Sequence, residues 1–98
     1  MQDEKFKTWL TSVKKYSKRT VQNRISNCRN VEKFHRDLDI EYGIDKGVSL
    51  MADLTYTTAE FLVNAVPKHK IPIDGNNRTG SVTLKASVKL YMEFRKSL

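Results

Sequence analysis

One apolar stripe constrains this chain more than any other feature. Val21, Ile25, Cys28, Val31, Phe34 and Leu38 follow one another at steps of three or four, the spacing that lines side chains along one side of an α-helix. The stripe implies a helix that buries one side and ends near residues 37–39. At about 100° per residue, Lys18, Arg29, Lys33 and Arg36 fall in a sector on another side, with Gln22 and Ser26 beside them. Either Ser17 or Thr20 is placed to cap its start by accepting from an unpaired backbone N–H.

The remaining segments read as partners for that stripe. Phe6, Trp9, Leu10 and Val13 share one side of a first helix running from about Asp3 to Lys15. Residues 37–45 alternate apolar and acidic positions and contain Gly43, with Gly47 just beyond, so they are expected to form a loop. Ser49 is expected to cap a short helix through Leu50, Met51 and Leu54. Thr57 and Glu60 have the capping-box spacing ahead of Phe61, Leu62, Val63 and Val66, with Pro67 as the expected stop. Residues 67–80 hold both prolines and no helical period, which predicts an extended loop closed by an Asp74-Gly75 turn. A last helix starts between Asn76 and Ser81 and runs to about Lys96. Its apolar set is Val82, Leu84, Ala86, Val88, Leu90, Tyr91 and Phe94, leaving a solvent strip of Lys85, Lys89, Met92 and Lys96. The whole is expected to be one all-α domain spanning residues 1–98, a compact bundle of four to five helices.

Charge is segregated along the chain. Residues 1–36 carry ten Lys/Arg against three acids, a balance of +7; residues 37–66 carry one against six, or −5; residues 67–98 carry seven against two, or +5. Two basic ends around an acidic middle suggest a positive surface for a polyanion. No apolar run of membrane length and no charged-then-apolar leader is present, and one cysteine cannot form an internal disulfide. A soluble, cytoplasmic protein with no membrane partner is expected.

Catalytic and metal chemistry finds little support in these residues. The acids are too sparse to converge as a nuclease site, and Asp74-Gly75-Asn76 lacks the late acid of a calcium loop, Lys85 standing where it would be. His35 sits at the rim of the long stripe, and His69, between two lysines, reads as a polar loop residue. Cys28 lies on the apolar stripe and reads as core. No enzyme activity, cofactor, metal or small-molecule ligand is expected.

Phosphate binding needs cations fixed on helices, with backbone N–H groups at helix starts. The turn before the long helix supplies Lys14, Lys15, Lys18 and Arg19, and Gln22, Arg29, Lys33 and Arg36 extend this set along the helix. Lys68, Lys70 and Arg78 come from the late loop, with Lys85 and Lys89 on the last helix. If the two helices lie side by side, one positive groove results, and Gln22, Asn23, Ser26, Asn27 and Asn30 are short polar groups able to reach base edges.

Phe6, Trp9-Leu10, Tyr16-Ser17, Thr20, the helix through Phe34, and the late run Leu84 to Tyr91-Met92-Glu93-Phe94 resemble the N-terminal core-binding (SAM-like) domain of tyrosine recombinases and phage integrases. That resemblance implies a helical domain clamping double-stranded DNA opposite a separate C-terminal catalytic domain. It also implies DNA contact for Lys14, Lys15, Lys18, Arg19 and the polar face of the long helix. Tyr91 is placed as a packing residue, not a nucleophile. The competing expectation is a helical protein-interaction module, such as a phage or mobile-element inhibitor or adaptor of a host nuclease or restriction system, using the acidic 37–60 segment. A small RNA-binding regulator is a third.

Overall fold

The computed structural model describes residues 1–73 and 75–98, and it is all-helical among them. Six segments follow in order: α1 (Asp3–Ser12), α2 (Lys18–Phe34), α3 (Leu38–Asp45), α4 (Val48–Asp53), α5 (Thr58–Leu62) and α6 (Asn77–Ser97). The all-α bundle is as expected, with one helix more in the middle than the sequence suggested. The Asp74-Gly75 turn falls partly on Asp74, outside the described residues.

α2 and α6 are the two long helices, and they pack directly on each other with α1 against both. The α2 stripe does what its spacing predicts: Val21, Ile25, Cys28 and Val31 are buried, as is Leu38 beyond the helix end, while Phe34 sits at the margin. Phe6 of α1 meets Tyr91 and Phe94 of α6 at ring-centroid distances of 5.0 and 5.4 Å, and Trp9 lies 5.8 Å from Phe94. This aromatic cluster locks α1 to α6 in the edge-to-face and tilted geometries that aromatic quadrupoles favour.

Helix ends differ from expectation for local reasons. α1 stops at Ser12 rather than near Lys15, because Lys15 takes a left-handed backbone with φ 55°, which turns the chain into α2. Ser17, not Thr20, caps α2; its Oγ accepts from the Thr20 N–H. Residues 38–45, expected as loop, form α3 because the Asp37 carboxylate accepts from the Asp39 N–H and caps it. Gly47, with φ 81°, precedes α4, and Ser49 lies inside that helix with its N–H on Asp45, so Ser49 is not its cap. The Thr57–Glu60 capping box is present, but α5 ends at Leu62, five residues before Pro67. Asn64 has φ 52°, a left-handed turn that stops the helix first.

α6 starts at Asn77, capped by the Asn76 side chain on the Thr79 N–H. Its buried side is rotated relative to the sequence reading. Met92 is buried rather than in the solvent strip, Val82 is 53% exposed, and the small polar Ser81 and Ser87 are buried instead. Ser87 is buried because α2 needs a close, hydrogen-bonded approach there: the Asn27 amide donates to its hydroxyl at 3.1 Å, and the Cys28 thiol donates to its carbonyl.

Candidate nucleic-acid interface

The cations singled out from the sequence separate into groups in space. In the turn, Lys14 Nζ lies 3.0 Å from Glu93 of α6 and 5.3 Å from the Trp9 ring centre, so this lysine is committed within the molecule. Lys15, Lys18 and Arg19 are exposed and have no ion-pair partner among the described residues.

Along α2, Lys18, Gln22, Arg29 and Lys33 form one exposed row. The row borders α1: Gln22 and Arg29 share a shallow groove with Lys7, Asp3 and Glu4. Arg29 is paired with Asp3 across that groove. Lys33 lies 5.6 Å from the Phe34 ring centre and keeps its charge toward solvent. Arg36 stands beyond the helix end, with Nε 3.1 Å from Glu41.

The late basic segment does not complete one groove with this row. α2 and α6 do lie side by side, but Ser87 of α6 faces α2, and Lys85 and Lys89 lie about 160° around α6 from it. Lys89 instead lines a different groove, with Tyr42, Lys46, Val48, Met51, Met92, Glu93 and Lys96. Lys68 and Lys70 are exposed on either side of His69, and Arg78 is exposed at the start of α6. Of the polar residues considered for base contact, Asn27 is withdrawn by its bond to Ser87, while Gln22, Asn23 and Ser26 stay exposed.

His69 is not a polar loop residue as expected but is buried, and it fixes the loop to α6. Its Nδ1 accepts from the Ile71 N–H at 3.3 Å, which leaves the proton on Nε2, 2.8 Å from the Ser81 hydroxyl. Burial, and then the neighbouring His35, hold its pKa below the usual value, so the neutral ring is favoured. The only sequence signal was Ser81 itself, a small polar residue on the side of α6 that continues to Leu84 and Val88.

The acids of the middle segment are largely consumed internally. Asp39 accepts from the Tyr91 hydroxyl at 2.6 Å and pairs with Arg95, whose guanidinium also covers the Tyr42 ring. Burial opposes ionisation of Asp39, but these donors more than offset it and hold the carboxyl below its ordinary range. Asp37 binds the Met1 ammonium at 2.7 Å, with Glu32 at 3.2 Å and Asp39 at 3.4 Å. Burial of that ammonium lowers its pKa, yet the Asp37 and Glu32 hydrogen bonds prevail and carry it up to about 10. Glu41 takes Arg36, Asp45 takes Ser49, and Glu60 closes the capping box.

Among the described residues no group of three His, Cys, Asp or Glu is placed to hold a metal, and no helix is long and apolar enough to cross a membrane. Cys28 is fully buried, and burial pushes its thiol far up, away from the reactive thiolate. Tyr91 is likewise fully buried, with burial and Asp39 raising its hydroxyl well above the ordinary range. The chain matches no protein-family model, no curated protein and no solved structure.

Proposed function

We propose that this chain is a non-catalytic DNA-binding domain that grips duplex phosphates through Lys15, Lys18 and Arg19 at the start of α2 and Lys33 farther along it. The observation that carries this reading is the imbalance of pairing: most acids are held by internal partners, while these four cations are exposed and unpaired among the described residues. Lys18 and Lys33, in the exposed row fixed on the 17-residue α2, lose little entropy on meeting a regular polyanion, and Lys15 and Arg19 flank the start of that row. Gln22 stands in that row as the group able to reach a base edge. The resemblance to recombinase core-binding domains points the same way. Lys68, Lys70 and Arg78 form a separate set that extends the contact only if the duplex also passes the start of α6.

Fluorescence anisotropy on a short duplex across a salt series tests this. Four phosphate contacts predict a log–log slope of about −4, roughly one per contact. Lys18→Glu with Lys33→Glu should abolish most of the binding without moving the thermal midpoint, since both side chains are exposed. This pair is preferred to one containing Arg29, whose reversal would also set a glutamate against Asp3. Absence of binding at low salt overturns the reading.

A protein-interaction module is the second reading, favoured by one observation. Leu62, Val63 and Val66 are 74, 75 and 86% exposed beside Phe61, an apolar patch of the kind that marks partner surfaces. Its seat is this apolar patch rather than the acidic segment, whose carboxylates are mostly engaged. Loss of a co-purifying protein on Leu62→Lys with Val66→Lys would support it.

A further inference from the structure

The groove that takes Lys89 away from α2 has a composition unlike the rest of the surface. It has a volume of about 340 Å³ between α6 on one side and the α3–α4 corner on the other. Tyr42, Val48, Met51 and Met92 give it an apolar lining. Lys46, Lys89 and Lys96 stand around it, exposed and without ion-pair partners among the described residues. The one acid of the lining, Glu93, is held by Lys14.

A larger apolar groove, about 520 Å³, lies near Trp9 and Phe94, and its lining contains Glu4 beside Lys5, one acid for one base. The smaller groove is therefore distinguished by uncompensated positive charge over an apolar bed. Gly47 shapes the bed: its φ of 81° favours glycine, and a Cβ there would stand 2.8 Å from the Met92 thioether and push it off the corner. Methionines on both walls give a soft, adaptable lining.

We infer that this groove binds a single-chain anionic amphiphile, a free carboxylate on one alkyl chain, with the head among Lys46, Lys89 and Lys96 and the chain on Tyr42, Val48, Met51 and Met92. The apolar part of the lining presents methyl, thioether and ring surface, which suits an unsubstituted hydrocarbon. The wall that α6 gives the groove rises about 10 Å from Lys89 to Lys96, which accommodates a tail on the order of ten carbons laid along it. Such a site departs from the sequence expectation of no small-molecule ligand, and it does not depend on DNA binding.

Sodium decanoate below its micelle concentration is the probe, followed by amide and methyl NMR shifts on the full chain. Decanoate should shift Val48, Met51 and Met92, and decylammonium and butyrate should each bind about tenfold more weakly, one lacking the charge match and the other the tail. Lys46→Glu with Lys89→Glu should weaken decanoate about tenfold while the thermal midpoint is kept, both side chains being exposed. Equal binding of decylammonium overturns the inference, as do shifts centred on Trp9 and Phe94. Binding seen only with anionic phospholipid vesicles also overturns it, as does a concentration-dependent dimer that perturbs the same residues without ligand.

Discussion

Gly47 and His69 show how much of this molecule turns on single residues. Gly47 combines a left-handed backbone with a 2.8 Å approach to Met92, so an added methyl is opposed by both conformation and space. Gly47→Ala is expected to cost about 2 kcal/mol in urea unfolding and to disturb the Met92 methyl resonance. His69 provides a pH test. Its folded pKa lies below the unfolded value near 6.5, so between the two the unfolded chain binds more protons and stability rises with pH. As pH falls below about 6.5, stability should be lost until the folded ring titrates, because a proton on Nδ1 would face the Ile71 N–H. Asp37 and Asp39, both held below the ordinary carboxylate value of 3.8, add a second loss at lower pH, where protonation breaks their pairs. Unfolding free energies measured from pH 7.5 to 3 should show both limbs, and His69→Asn should flatten only the upper one.

Among the elements, α2 was the most legible and α3 the least. The α2 stripe is a sustained pattern, and its buried and exposed sides fall where period 3.6 puts them. α3 has an apolar-acidic alternation and a central Gly43 that both argue locally for a loop; what overrides them is tertiary. Asp37 caps the helix, and Asp39 is tied to Tyr91 and Arg95 of α6. Asp39→Ala should therefore cost about 2 kcal/mol, since the buried Tyr91 hydroxyl, which still accepts from the Gln2 N–H, loses the acceptor for its own proton, and Arg95 loses its partner. α5 gives the converse case. Its capping box is legible in the sequence, but the helix buries none of its residues. Thr57→Ala should accelerate amide exchange over residues 58–62 and leave the global midpoint nearly unchanged.

At the scale of the whole molecule, the +7 charge acts in two opposed ways. Unpaired lysines repel one another in the folded state, so raising salt should stabilise the fold by a few degrees at most through screening. If the exposed cations grip a duplex as proposed, the same salt should weaken that binding steeply. A thermal midpoint that rises while binding falls identifies the exposed cations as functional surface rather than structural glue; parallel decline of both would mean that ion pairs hold the fold.

The sequence by itself determined the helical class, the long stripe, the capping residues of α5 and the exposed cations of α2, because each is a matter of spacing within one element. Only the tertiary structure decided how elements are rotated against each other. The hydrogen bonds of Ser87 to α2 turn Lys85 and Lys89 away from it, and the bond of Ser81 to His69 buries a residue that composition places in solvent. Rotation of a helix about its axis is set by a few close contacts across the interface, and no periodicity within one segment can specify which partner supplies them.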